Sequence, residues 1–215
     1  MTVAEPVTLV TDYALAAVAG YLAWKLYQAH DKQVSRRCWA AGFAALALAA
    51  LVGGTHHGFA PYFGPVLLAA TWKFTVYCVG IFGLAMLAGS AIAVCSGAVR
   101  RVLLAAAALK FLTYGVVMFA RDAFEFVIAD TGGAMMGLLL LHGWKAATRH
   151  DTASRWVLFA VGLSALAAAV QYGRVGLHAH FNHNDLYHVI QIAAMVTFYK
   201  AGKLMRDATS STRQP

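Results

Sequence analysis

Six of the nine histidines fall in two short clusters. One is Gly54-Thr55-His56-His57-Gly58; the other runs from His178 to His188 and holds His178, His180, His183 and His188. Each cluster abuts a long apolar run. Imidazole is the commonest metal-binding side chain, and ionisable groups are costly in lipid. Two clusters meeting at one level of a helical bundle therefore point to a site. Three protein ligands and a water make the catalytic zinc pattern, in which the metal activates the water and polarises a carbonyl. The candidate ligands are His57, His183 and His188, with His56 as the alternative from the first cluster. Asp12 and Asp185 are the candidate catalytic carboxylates, either as general base or as partners that orient a ligand. The same imidazoles also suit haem or copper. Histidines that only sense pH would instead serve a non-catalytic receptor, transport or assembly protein.

Spacing narrows the set. Asp185 and His188 are three apart, which places them on one helix face. His183 and His188 are five apart, about 140° around a regular helix, so His183 joins the site only if it precedes the first turn. Asn182, Asn184 and Asp185 are all suited to cap that helix. A second polar set comprises Lys73, Lys110, Glu125 and Asp130. Unpaired charge at membrane depth is strongly disfavoured. Lys110 and Asp130 are therefore expected to form an intramembrane ion pair, while Lys73 is free to snorkel outward. No phosphate-binding glycine loop, GxSxG elbow or HExxH motif is present.

The elements that must position these residues follow from composition. The chain is 60% hydrophobic and only 12% charged, about half the charge of a soluble domain, and its mean hydropathy is +0.63. Its apolar runs reach bilayer-crossing length. They are continuous rather than alternating, which selects helices over a barrel. The expected fold is all-α: a single polytopic seven-helix transmembrane domain over residues 1–215. The expected spans are Leu9–Tyr27, Cys38–Thr55, Val66–Ala88 (which could continue to Val94), Val102–Ala120, Phe124–Leu141, Trp156–Tyr172 and Leu186–Tyr199.

Basic residues concentrate in alternate loops, at Lys32, Arg36, Arg37, Arg100, Arg101, Lys145, Arg149, Arg155, Lys200, Lys203, Arg206 and Arg213. By the positive-inside rule these loops are cytoplasmic, with the N-terminus outside and the C-terminus inside. The net charge of +8 is thus topogenic, and nucleic acid is not an expected partner. Membrane lipid is. The expected location is the bacterial inner membrane, with both histidine clusters at the outer face and His30, His142 and His150 as ordinary residues of the inner one. The N-terminus lacks a basic leader and a cleavage pattern, so the first helix is expected to be retained. Trp72, Tyr62, Tyr172 and Tyr187 fit an outer aromatic belt, and Trp24, Trp39, Trp144 and Trp156 an inner one. Gly132, Gly133 and Gly137 allow close helix approach. Cys38, Cys78 and Cys95 read as structural thiols, and the tail after Lys203 as an exposed end.

With these residues in view, the arrangement resembles the seven-helix superfamily of alkaline ceramidases and adiponectin or progestin receptors. That resemblance implies one zinc-binding histidine late in helix 2, corresponding to His57, and two near helix 7, the later being His188. The segment Asn182-His183-Asn184-Asp185-Leu186-Tyr187-His188 looks like the HxxxH region of that superfamily. The chain is also similar to a family of small bacterial seven-span proteins with a GT-x-HGF and NHN-xx-YH pattern. The expectation that follows is an intramembrane zinc-dependent hydrolase acting on a lipid amide or ester.

Overall fold

The computed structural model describes residues 2–178 and 181–209. His180 and Arg213, to which the sequence assigned an outer-face and a topogenic role, lie outside them. Seven helices follow in order: α1 Pro6–Gln28, α2 Val34–Phe59, α3 Pro65–Val94, α4 Gly97–Ala120, α5 Phe124–Arg149, α6 Thr152–Tyr172 and α7 His183–Leu204, with a short 3-10 turn, Ala60–Tyr62, after α2. Among the described residues the only extended pairing is an isolated bridge between His178 and Phe181. The first six helices are each long and apolar enough to cross a membrane. This is a membrane-embedded protein. α7 has 22 residues but is not among those six. Its first turns carry His183, Asn184, Asp185, His188 and Gln191, which lower its apolar content.

Local chemistry explains the boundaries. Pro6 and Pro65 open α1 and α3, where a missing N–H costs nothing. Asp151 caps α6 by accepting from the Ser154 N–H at 2.8 Å. Burial would push the Asp151 carboxyl up, but the Ser154 hydroxyl and N–H, together with Lys145, hold it below its ordinary value. The helices outrun the expected spans because their basic ends continue past the apolar runs, as in α5, which reaches Arg149 rather than Leu141.

One end of the bundle gathers the start of α1, the end of α2 and the start of α7: the histidine end. There the Ala4 N–H donates to the Gly58 carbonyl at 3.0 Å. The opposite, basic end differs from expectation in three respects. The tail is docked rather than exposed: Asp207 accepts from the Val34 and Ser35 N–H groups at 2.7 and 3.0 Å, and Ala208 N–H donates to the Ile92 carbonyl. Asp207 thereby caps α2 from the far end of the chain. Arg36, read as topogenic, is buried and donates to the carbonyls of Met205 and Ala29. His142 is also not interfacial. It is 1% exposed, and its Nδ1 faces Ser154 Oγ at 2.9 Å, joining α5 to α6.

The main core lies among α1, α2, α3 and α7, around Leu26, Trp39, Phe43, Met86 and Phe198. Trp39 belongs to this core and not to an interfacial belt, because its indole N–H finds the Met86 carbonyl at 3.1 Å inside the bundle. Gly89 makes the room: a Cβ there would stand 2.5 Å from the Trp39 ring and 2.8 Å from the Ser35 carbonyl. A smaller core joins α3 to α4 and α5 through Val76, Tyr114, Met118 and Val127.

Two outcomes test this packing. Asp207→Ala removes a helix cap and should cost about 1–2 kcal/mol, read as a lower thermal midpoint in detergent. Gly89→Ala should destabilise by about 1–3 kcal/mol through overpacking against backbone. Gly132→Ala, whose Cβ would meet nothing within 4 Å, should be nearly neutral.

Candidate functional site

On α1 the polar residues Thr8, Thr11 and Asp12 stand at spacings of three and four, one stripe on an otherwise apolar helix. The stripe faces α7, and Thr8 and Asp12 are buried. α7 begins with a capping box, in which Asn182 Oδ1 accepts from the Asn184 N–H and Asp185 Oδ2 accepts from the Asn182 N–H, each at 2.7 Å. The other oxygen, Asp185 Oδ1, accepts from Thr8 Oγ1 at 2.9 Å. Asp185 thus closes α7 with one oxygen and ties it to α1 with the other.

His188 follows one turn later on the same face. Its Nδ1 lies 3.0 Å from Thr11 Oγ1, and its Nε2 lies 3.2 Å from Asp12 Oδ1. Hydroxyl, imidazole and carboxylate stand in a row. Thr11 as a residue is of intermediate burial, while His188 and Asp12 are 9% and 5% exposed. Two proton arrangements fit. In one, Thr11 donates to Nδ1 and Nε2–H donates to the Asp12 carboxylate. In the other, Thr11 donates to the Thr8 carbonyl, 3.1 Å away, and accepts from Nδ1–H, leaving the remaining proton between Nε2 and Asp12. Asp12 Oδ2 is buried with no hydrogen-bond partner among the described residues.

α2 completes the wall. Gly54 lets α1 approach closely, since a Cβ there would stand 2.7 Å from Asp12 Cβ and 3.0 Å from the Tyr13 ring. The two histidines of α2 diverge. His57 Nδ1 is 3.5 Å from Glu5 Oε2, and His57 lies one turn after Gly54, the residue at which α2 packs on Asp12. His56 turns to α3, with Nδ1 2.8 Å from Thr71 Oγ1 and its ring beside Trp72. A cleft of about 340 Å³ opens beside them, lined by Glu5, Gly53, His56, His57 and Trp72.

The expected zinc ligands can be placed against this geometry. His183 is the first residue of α7 rather than preceding its first turn, which sets it about 140° around from His188. Asn184 is bonded to α6, its Oδ1 accepting from Gln171 Nε2 at 2.7 Å. Among the described residues no three His, Cys, Asp or Glu side chains converge as a metal-holding group. The residues as placed do not fit the three-ligand pattern. The structure brings together His188, Asp12 and Asp185, sets His57 beside them, and leaves His56 and His183 apart.

Lys110 and Asp130 meet elsewhere, across α4 and α5, with Nζ 2.5 Å from Oδ1. Asp130 Oδ2 packs toward Gly83 of α3, and Lys110 Cε toward Gly133. Lys73 reaches to the end of α4, meeting the Met118 carbonyl and the Asp122 carboxylate. Sequence reasoning missed Thr8, Thr11 and Glu5. The first two were detectable as the stripe they form with Asp12.

Gly54→Val should separate α1 from α2 at this level. It should lower stability by about 1–3 kcal/mol, whereas Gly53→Ala, with Thr75 Cγ2 3.5 Å away, should be tolerated. Thermal unfolding of the two variants in one detergent checks the contrast.

Comparison with curated proteins and with solved structures finds no match. A protein-family model does match, over residues 7–207, which spans all seven helices and the docked tail. The chain belongs to the family of unknown function DUF6962.

Proposed function

We propose that this protein is a seven-span intramembrane hydrolase of a lipid amide or ester, with Thr11, His188 and Asp12 as its working row. The observation that carries the reading is His188 held between the Thr11 hydroxyl at 3.0 Å and the buried Asp12 carboxylate at 3.2 Å. A nucleophile in hydrogen-bond reach of a base, itself oriented by a third group, is the signature of nucleophilic acyl transfer. In this scheme Thr11 Oγ attacks the carbonyl carbon while His188 Nδ1 takes its proton. Nε2–H stays on Asp12, whose carboxylate offsets the imidazolium charge. The proton then passes to the leaving amine or alcohol as the C–N or C–O bond breaks. Water attacks the acyl-Thr11 ester, His188 takes a proton from it and returns that proton to Thr11 Oγ, and the carboxylic acid departs.

The basic loops support an orientation with the N-terminus outside and the C-terminus cytoplasmic, as in a bacterial inner membrane. α7 then crosses as the seventh span, and the row faces the outer leaflet. A zinc-dependent form of the same reaction, as in the alkaline ceramidase and adiponectin-progestin receptor superfamily, is favoured by one observation, the position of His57 one turn after Gly54, where α2 packs on Asp12. A non-catalytic receptor or carrier is favoured by another, the burial of Asp12 and His188.

Turnover of fluorescent lipid amides and esters by the reconstituted protein separates the three. Thr11→Ala, His188→Gln and Asp12→Asn should each lower kcat by about 10²–10⁴-fold, and Thr11→Ser should retain activity. Stoichiometric zinc by elemental analysis, with an active Thr11→Ala variant inhibited by chelator, would transfer the role to the metal. Folded wild-type protein that turns over none of these lipids would sink both hydrolytic forms and leave the receptor.

A further inference from the structure

We propose that the cleft between Glu5 and Trp72 binds an organic ammonium group, free or carried as a lipid headgroup. The inference rests on the cleft's own residues and is read as binding, so it stands or falls apart from catalysis by Thr11. Glu5 occupies the N-cap position of α1, yet its side chain makes no cap hydrogen bond. Its carboxylate overhangs the cleft instead, beside His57. The segment that carries it is pinned across the bundle: Ala4 N–H donates to the Gly58 carbonyl, and Thr2 N–H donates to Tyr62 Oη at 2.8 Å. The carboxylate is therefore held in place over an opening rather than left on a loose end.

The rest of the lining is aromatic, imidazole or small. Trp72 supplies an indole, with the His56 and Phe124 rings packed about it at 6.4 and 6.2 Å. His56 Nδ1 is taken up by Thr71. Gly53, Ala60 and Pro61 leave room in the floor and wall. Neither lysine nor arginine lines the cleft, and the nearest lysine along α3, Lys73, is committed to Met118 and Asp122. One carboxylate facing an indole is the complement of a cation with an apolar skin. Quaternary ammonium over tryptophan is the best-attested use of cation–π attraction. The cleft volume, about 340 Å³, lies at the small end for ligand pockets and fits a headgroup rather than a whole lipid.

Isothermal titration in neutral maltoside micelles tests this with choline, with its uncharged isostere 3,3-dimethylbutanol, and with phosphatidylcholine in mixed micelles. Choline or phosphatidylcholine should bind saturably, and the isostere at least about tenfold more weakly, which corresponds to about 1.4 kcal/mol. Glu5→Gln should weaken the cation to the level of the isostere. Trp72→Leu should weaken it roughly three- to thirtyfold. Binding of choline alone assigns a soluble ligand, and binding of phosphatidylcholine alone a lipid headgroup. Equal affinity for choline and dimethylbutanol, undiminished binding in Glu5→Gln, or no binding of either ammonium probe would overturn the proposal.

Discussion

The constraint on which the rest of the structure depends is the polar start of α7. A helix that begins with His183, Asn184 and Asp185 and carries His188 a turn later has no place against hydrocarbon. Every one of its early donors and acceptors needs a partner supplied by protein. α1 supplies most of them from a single stripe: Thr8 for Asp185, then Thr11 and Asp12 for the two nitrogens of His188. α6 supplies Gln171, whose Nε2 donates to Asn184 Oδ1. The first and last helices are therefore bound to each other chemically as well as by packing. The cost of leaving any of these groups unpaired in a low-dielectric interior holds the arrangement together.

Close approach makes that pairing reachable. Gly54 brings α2 against the Asp12 backbone region, and Gly58 accepts the Leu9 side chain, with a would-be Cβ 3.1 Å from Leu9 Cδ1. At the basic end Gly89 and Gly202 perform the same service for Trp39. Without a hydrophobic drive between helices in lipid, such small-residue contacts and the hydrogen bonds they permit are what hold a bundle together. The same chemistry that positions the site thus stabilises the fold, and the Thr11–His188–Asp12 row is embedded in a framework that cannot relax around a lost partner.

Much of this was legible in the sequence, and the gaps have physical causes. Apolar run length located all seven helices, because hydropathy reports burial in lipid or protein directly. It could not separate a lipid-facing residue from a core one, so Trp39 and His142 were placed at an interface. The histidine clusters lie together at one end of the bundle, where Asp12 meets His188 and Asp185 precedes it by one turn. Which side chain faces which was set by helix rotation and by where α7 begins. A start one residue later would make His183 the N-cap and release it from the helical phase that sets it about 140° from His188. Thr11 escaped notice because a threonine in an apolar helix usually bonds its own backbone. Asp207 escaped because its partner, the α2 N-terminus, lies 172 residues away at Ser35.

The two ends of the chain complete the logic. At the histidine end Ala4 bonds to Gly58, and at the basic end Asp207 closes α2 while Ala208 bonds to Ile92 of α3. Both terminal segments reach across to α2, so α1, α2 and α7 are clamped above and below. α4 is held differently: it buries only Ala107, Tyr114 and Met118, and it meets α5 through the Lys110–Asp130 pair beside the glycines of α3 and α5. The tied α1–α2–α7 group and the α4–α5 pair thus lie in different parts of the bundle, joined through α3. Trp72 and His56 stand where the two halves meet, on α3 and α2, with Trp72 packed against Phe124 at the start of α5. A ligand in the cleft between them would press on that junction while leaving the Asp12–His188 contact in place.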